Sequence, residues 1–263
     1  MITAHSRNIT HRAERQSALV YGYHAVAYLI QHKPDCIRHV YCIDKSKHQE
    51  LAAAAQKHGL PVTFCNKKKF SDLLPGQDTL VHQGMMADCH QVYEQNINDL
   101  EDLVQHKQPP LRLLLLDGVT DPHNLGACLR NAAAFAVDAL ILPKDHSARL
   151  NATAIKIACG AAHIVPVMKV VNLVRTLDWL KTMDFEVIGT SELAEHSLAD
   201  YRRSKTTSLA LVMGAEGKGL RQRTRHHCDQ LFSIPLPGLM QSLNVSAATA
   251  ICLYHVTHAS DLL

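Results

Sequence analysis

The chain has 263 residues, 47% of them hydrophobic and 5% aromatic, enough to bury two modest cores and unlike a fibrous or disordered protein; two domains are expected. No apolar run reaches the roughly 18 residues that cross a membrane, and the first residues lack the apolar stretch of a secretory signal, so the expectation is a cytoplasmic chain with no membrane partner. The net charge of +3 is uneven, with 11 Lys+Arg against 7 Asp+Glu in residues 1–90, 1 against 4 in 91–108, and 15 against 13 in 109–263. This mild basic excess at the front does not by itself predict a nucleic-acid partner.

In chain order, residues 1–19 carry Arg7, Arg12 and Arg15 without amphipathic order and read as a flexible arm. Residues 20–90 form a small α/β unit. A helix is predicted from Tyr21 to Ile30, a strand from His39 to Ile43, an alanine-rich helix from Leu51 to His58 and a strand from Pro61 to Cys65. A basic turn, Lys67-Lys68-Lys69, then leads to a short helix from Phe70 to Leu74 and a strand from Gly84 to Cys89. Residues 91–108 are polar and acidic and end at Pro109-Pro110, which reads as a linker.

From 109 to 263 the rhythm lengthens. Leu111 to Leu116 and Ala139 to Leu142 are apolar runs of buried-strand length, with a helix from about Asn124 to Ala136 between them. Further strands are predicted at Phe185 to Thr190, Leu209 to Met213 and Leu231 to Ile234, and helices at Ala152 to Ala161, Leu173 to Met183 and Leu243 to His258. Such alternation implies an α/β fold with a mostly parallel sheet covered on both faces. Eight cysteines without a C-x-x-C pair point to reduced thiols, with Cys128, Cys159 and Cys252 in apolar, helix-like settings. Neither His226-His227-Cys228 nor the His255 and His258 pair completes a four-ligand set, so no metal is expected.

Three segments stand out for chemistry. Gly214-Ala215-Glu216-Gly217-Lys218-Gly219 follows a strand and lets backbone approach a ligand, although a tight strand-to-helix turn needs the same residues. It is not a P-loop, because Gly rather than Ser or Thr follows Lys218. In Ile234-Pro235-Leu236-Pro237-Gly238, the prolines stiffen an extended loop, and Ser242 and Asn244 place hydrogen-bonding groups ahead of the last helix, where they also suit a cap. Asn124 stands at a helix start after Asp121-Pro122. Arg130 follows six residues later, about 120° away around an ideal helix.

The segments Leu116-Asp117-Gly118-Val119-Thr120-Asp121-Pro122-His123-Asn124-Leu125-Gly126, Leu211 to Leu220 and Ile234 to Ser246, in this order and spacing, resemble the three motifs of the SpoU/TrmH family of RNA ribose methyltransferases, part of the SPOUT superfamily. The resemblance runs from about Tyr21 to Tyr254. Tyr21 to Val26 and His82 to Ala87 are similar to the small substrate RNA-binding domain of the members that methylate a guanosine ribose 2′-hydroxyl in bacterial 23S ribosomal RNA.

The resemblance implies a C-terminal trefoil knot forming the cofactor site, S-adenosyl-L-methionine as cofactor, and a homodimer acting on 23S ribosomal RNA or a large-subunit precursor. It places Gly214, Gly217, Ile234, Leu236 and Leu243 at the cofactor, and Asn124, Arg130, Glu216, Ser242 and Asn244 at the reacting ribose. The preferred role of Arg130 is to hold the neighbouring phosphate and stabilise alkoxide charge, with general base as the alternative. Lys67 to Lys69 and Arg38 are candidates for phosphate contact in the front domain, or simply a solvated basic turn. His163 departs from the family pattern, which carries a glutamate there. A non-catalytic RNA-binding or ribosome-assembly protein, and a transfer RNA ribose methyltransferase, are the alternatives.

Overall fold

The structure, a computed structural model, describes residues 18–73, 82–202, 204, 206–240 and 242–258. The arginines of the predicted arm and Leu74 lie outside these residues. The described residues fall into two compact units, divided between Val92 and Tyr93.

The first unit contains β1 (Ala18–Tyr21), α1 (Tyr23–His32), β2 (Ile37–Cys42), α2 (Lys45–Lys57), β3 (Val62–Phe64), α3 (Lys67–Asp72) and β4 (Met85–Cys89). Its sheet runs β1-β4-β2-β3, with β4 antiparallel to both neighbours and β2 parallel to β3. Helices α1 and α2 pack against β4 and β2, while Phe70 of α3 meets Met86 and Cys65 in a separate buried cluster. Two expectations change here. Ala18 and Leu19, assigned to an arm, pair with Cys89 and Asp88 as part of β1. The three lysines are the first turn of α3, because Asn66 caps it by accepting the Lys69 N–H at 2.9 Å.

In the second unit come α4 (Ile97–His106), β5 (Arg112–Asp117), α5 (Pro122–Ala134), β6 (Ala139–Pro143), α6 (Ala152–Ala158), β7 (Val167–Val170), α7 (Leu173–Thr182), β8 (Phe185–Thr190), β9 (His196–Ser197), β10 (Ser208–Gly214), α8 (Gln222–His226), β11 (Gln230–Ser233) and α9 (Val245–His258). Seven strands in the order β7-β6-β5-β10-β8-β11-β9, all parallel among the described residues, form one sheet. Leu113 and Leu115 of β5 join Leu100 and Val104 of α4 and Leu177 and Leu180 of α7 in one core. Helix α5 packs against α6 and α9. Gly126 permits the α5–α6 approach, since a Cβ there would lie 2.6 Å from the Ala154 carbonyl oxygen and 2.6 Å from the Ile157 Cβ.

The linker expectation for residues 91–108 gives way to a helix built into this core. Asn96 and Asp99 make reciprocal capping bonds around the start of α4, and Leu100 and Val104 are buried although the exposed face is acidic. Every helix from α2 to α7 starts behind an aspartate or asparagine whose side chain accepts a first-turn N–H. For α5 that residue is Asp121, with Pro122 at the first helical position, so Asn124 is not the cap but sits within the first turn. Helix α6 stops at Ala158 rather than Ala161, because Cys159 and Gly160 both turn left-handed, with φ of 50° and 88°. Cys159 is thus half-buried rather than a core residue, although all eight cysteines are free thiols.

Candidate active site

Parallel strands deliver their following loops to one edge of a sheet, and β10, β8 and β11 are direct neighbours. The loops after them meet in a cleft of about 700 Å³. Thr190 to Leu193 form one lip, Met213 to Gly219 the floor, and Ile234, Leu236, Ser242 and Leu243 the other lip, with Val245 and Ala248 closing it from α9.

The floor is shaped by backbone. Ala215 and Gly219 exchange two backbone hydrogen bonds of 3.1 and 2.8 Å, and Gly217 and Gly219 take φ of 74° and 62°. This hairpin folds directly over Gly214, where a Cβ would lie 2.2 Å from the Gly219 carbonyl carbon and 2.3 Å from the Leu220 nitrogen. Glycine is therefore required at 214 by the loop itself.

Asn244 ties three segments together. Its Oδ1 accepts the Ser246 N–H at 2.9 Å and the Ser246 hydroxyl at 2.6 Å, which caps α9. Its Nδ2 donates to Asn124 Oδ1 at 2.9 Å and to Glu216 Oε2 at 3.3 Å. The first turn of α5 and the loops after β10 and β11 are thus joined at the cleft edge. Below them Asn131 Nδ2 donates to the Ser246 carbonyl at 2.7 Å, and Cys128 Sγ lies 3.6 Å from Thr249 Oγ1. Burial pushes the Cys128 thiol up to about 11 and the Cys252 thiol up to about 12, so both pack as neutral groups.

Of the sequence candidates, Gly214, Glu216, Gly217, Ile234, Leu236, Ser242 and Leu243 all line the cleft, and Asn124 and Asn244 are linked to Glu216. Arg130 is not brought to the lining. It stands exposed on α5, with Nη1 3.9 Å from Cys159 Sγ. Sequence reasoning missed Thr190 to Leu193, whose place follows only from β8 lying beside β10. His163 is half-buried in a 3₁₀ turn with Nε2 unpartnered. No group of three or more His, Cys, Asp or Glu among the described residues is placed to hold a metal.

The sequence profile described as the SpoU rRNA Methylase family matches residues 112–254. The chain belongs to the SpoU rRNA methylase family. A second profile, RNA 2′-O ribose methyltransferase substrate binding, matches residues 19–95 and so covers all strands and helices of the first unit but the first residue of β1. Among SpoU relatives, the 23S rRNA (guanosine-2′-O-)-methyltransferase RlmB of Escherichia coli strain K12 is 45% identical over 241 residues, spanning 90% of this chain and 97% of that protein. The RlmB of Pasteurella multocida is 46% identical over 241 residues, 90% of this chain and 96% of its own. The fold is shared with an AdoMet-bound rRNA methyltransferase from Sinorhizobium meliloti, with a TM-score of 0.65 and 22% identity over 94% of this chain and 88% of that one. Asn244 joins the three segments whose sequences resemble the SpoU/TrmH motifs.

Proposed function

We propose that this SpoU methylase transfers a methyl group from S-adenosyl-L-methionine to the ribose 2′-hydroxyl of a guanosine in 23S ribosomal RNA. The observation that carries the reading is the Asn244 junction, which ties the start of α5 to the two loops that line the cleft, in a chain 45% identical to an RlmB along nearly its whole length.

The cleft suits the cofactor chemically. Apolar Leu193, Ile234, Leu243 and Val245 can cover a purine, and the backbone of 213–219 offers donors and acceptors to its edge. Glu192 and Glu216 supply negative charge for a sulfonium and an ammonium, and Lys218 and Arg225 positive charge for a carboxylate. When bound, the cofactor supplies an electrophilic methyl group. Asn124, Ser242 and Asn244 orient the ribose so that its oxygen is aligned for attack, and Glu216 holds the Asn244 amide. Arg130, exposed on α5, binds the phosphate beside the target and stabilises charge developing on the 2′-oxygen.

We assign residues 18–92 to RNA addressing, with 23S ribosomal RNA or a large-subunit precursor as partner. A second copy of the chain is assigned to the exposed face of α9, where Ile251 and Tyr254 stand out and Phe135 meets Tyr254 edge-on at 6.3 Å. The trefoil knot is part of this reading; its support is that the segment before α9 lies against the first turn of α5 and the loop after β10. Among the described residues no helix is long and apolar enough to cross a membrane, and we infer action in the cytoplasm. The test offers labelled S-adenosyl-L-methionine with 23S, 16S and transfer RNA lacking modifications. Label in 23S alone is expected; label in transfer RNA alone, or none with folded protein, would replace the reading by one of its alternatives.

A further inference from the structure

Helix α1 is anchored in the first unit by Val26, Leu29 and Ile30, all fully buried, so its opposite face owes nothing to the core. That face carries His24, Tyr28 and His32, four residues apart and therefore on one stripe, all of them exposed, with Tyr28 at 40%. The Tyr28 and His32 ring centroids lie 4.4 Å apart, and Tyr23 meets His24 edge-on at 5.5 Å. Tyrosine and histidine are weaker helix formers than the alanine, lysine or glutamate that suit such surface positions, so folding alone does not call for them.

Carboxylates and lysine or arginine side chains are missing from this face as well. Of α1, α2, α4, α5, α7 and α9, only α1 and α9 contain no Asp, Glu, Lys or Arg. The outer face of α9 shows Ile251 and Tyr254, an apolar surface that suits a second copy. The α1 face differs, because each of its three rings combines a π-face with a hydrogen-bonding edge, as a nucleobase does. Lysines flank it: Lys33 directly follows His32, and Lys47 precedes His48, whose ring lies 6.0 Å from Tyr23. The first carboxylates after the stripe are Asp35, beyond Lys33, and Asp44, whose Oδ1 accepts the Ser46 and Lys47 amides.

We propose that the stripe of His24, Tyr28 and His32 is a stacking platform for unpaired bases of the RNA substrate. From His24 to His32 it is about 12 Å long, which matches about three bases at 3.4 Å each. Stacking on ring faces accepts any base and demands only that the base be unpaired. The inference rests on residues 18–92 addressing RNA, and the match of residues 19–95 to the substrate-binding profile favours RNA over a second copy as the occupant. The platform therefore selects a single-stranded loop or bulge over a duplex, while Lys33 and Lys47 meet the flanking phosphates without adding sequence preference.

The test uses the full chain and a fluorescent RNA dodecamer of mixed sequence without self-complementarity, titrated by anisotropy alone and annealed to its complement. The wild-type chain is expected to bind the single strand at least tenfold more tightly than the duplex. Tyr28→Ala is expected to weaken single-strand binding about tenfold and duplex binding less than twofold, with the salt dependence unchanged because no phosphate contact is lost. Tyr28→Phe keeps the ring and should bind within twofold of wild type. Equal binding of both probes, no binding of the single strand, or wild-type affinity in Tyr28→Ala overturns the proposal, and an equal loss in the phenylalanine and alanine variants does so by making the hydroxyl rather than the ring responsible. Self-association lost in Tyr28→Ala at unchanged RNA affinity, read by sedimentation velocity, would give the face to a second copy. Should Tyr28→Ala fail to fold, His24→Ala with His32→Ala is expected to show the same tenfold loss, and unchanged binding there overturns the platform. The titrations contain no methyl donor, so failed methyl transfer with these affinities intact would count against the methyltransferase reading alone.

Discussion

Substituting Asn244 in two ways separates its role as a helix cap from its role at the cleft. Asn244→Ala removes the acceptor of the Ser246 amide and hydroxyl and the donor to Asn124 and Glu216. Loss of an asparagine cap costs about 1 kcal/mol, and two exposed donor bonds add roughly 0.5 kcal/mol each, about 2 kcal/mol together. At roughly 2–4 °C per kcal/mol for a domain of this size, the melting midpoint of the second unit should fall about 4–8 °C. Asn244→Asp keeps the cap but places a carboxylate where the amide stood, 3.3 Å from Glu216 Oε2; like charges at that separation repel by about 1 kcal/mol in a water-like dielectric. The aspartate variant keeps the cap but loses the same two donor bonds and gains the repulsion, about 2 kcal/mol together, so it should melt about 4–8 °C below wild type and lose methyl transfer as fully as the alanine variant. Adding Glu216→Gln to Asn244→Asp removes the repulsion, leaving the two lost donor bonds at about 1 kcal/mol, and should bring the midpoint to within about 2–4 °C of wild type and restore measurable turnover. Thermal melts and single-turnover methyl transfer on the four proteins read both quantities. Full activity in Asn244→Asp, or equal melting losses in the alanine variant and in Asn244→Asp with Glu216→Gln, would refute the division.

Arg130→Ala should lower kcat at least a hundredfold while cofactor affinity, measured by calorimetry, stays within twofold, because Arg130 lies outside the cofactor cleft; a matching loss of cofactor affinity would contradict its assignment to the RNA phosphate. Gly214→Ala should weaken cofactor binding more than tenfold, since the added carbon meets backbone at 2.2 Å and must open the 215–219 hairpin; wild-type affinity would show that the hairpin does not shape the site. His48 in the first unit is 2% exposed, and burial, followed by the Lys47 charge, lowers its pKa, against smaller opposing effects of Asp44 and a Gln83 backbone hydrogen bond. The folded chain then binds fewer protons than the unfolded one, so stability falls as pH drops through the ordinary value of 6.5. The urea midpoint of the β4 amides, followed by NMR, should fall between pH 7.5 and 5.5 in wild type and change less in His48→Leu; parallel curves would remove His48 as the cause.

What could be read in the sequence follows what local pattern controls. The apolar runs of β5, β6, β8 and β10 are long enough to announce buried parallel strands, and the Gly, Pro and Asn of the two late loops mark where backbone must bend. Strand β7 was hidden because Lys169 interrupts Val167, Met168 and Val170. Its ammonium is tolerated through bonds to Ser147 Oγ and the Ala148 carbonyl, both at 2.7 Å, and to the Pro143 carbonyl at 3.5 Å, with Glu94 at 3.9 Å, from segments distant in the chain. Burial lowers the Lys169 pKa, with Glu94 opposing. In α4 the acidic face concealed Ile97, Leu100, Leu103 and Val104 at helical spacing, although the Asn96 and Asp99 pair was a readable start signal. The bond between Asp117 and Arg221 was invisible because the two are brought together by the pairing of β5 with β10, a property of strand order.

The most direct measurement is transfer of labelled methyl from S-adenosyl-L-methionine to unmodified 23S ribosomal RNA, with the product mapped by resistance to alkaline cleavage. The account predicts resistance at a single guanosine, present with the wild-type chain and absent with Arg130→Ala. Label that stays alkali-sensitive, or that falls on a base or on another class of RNA, would contradict it.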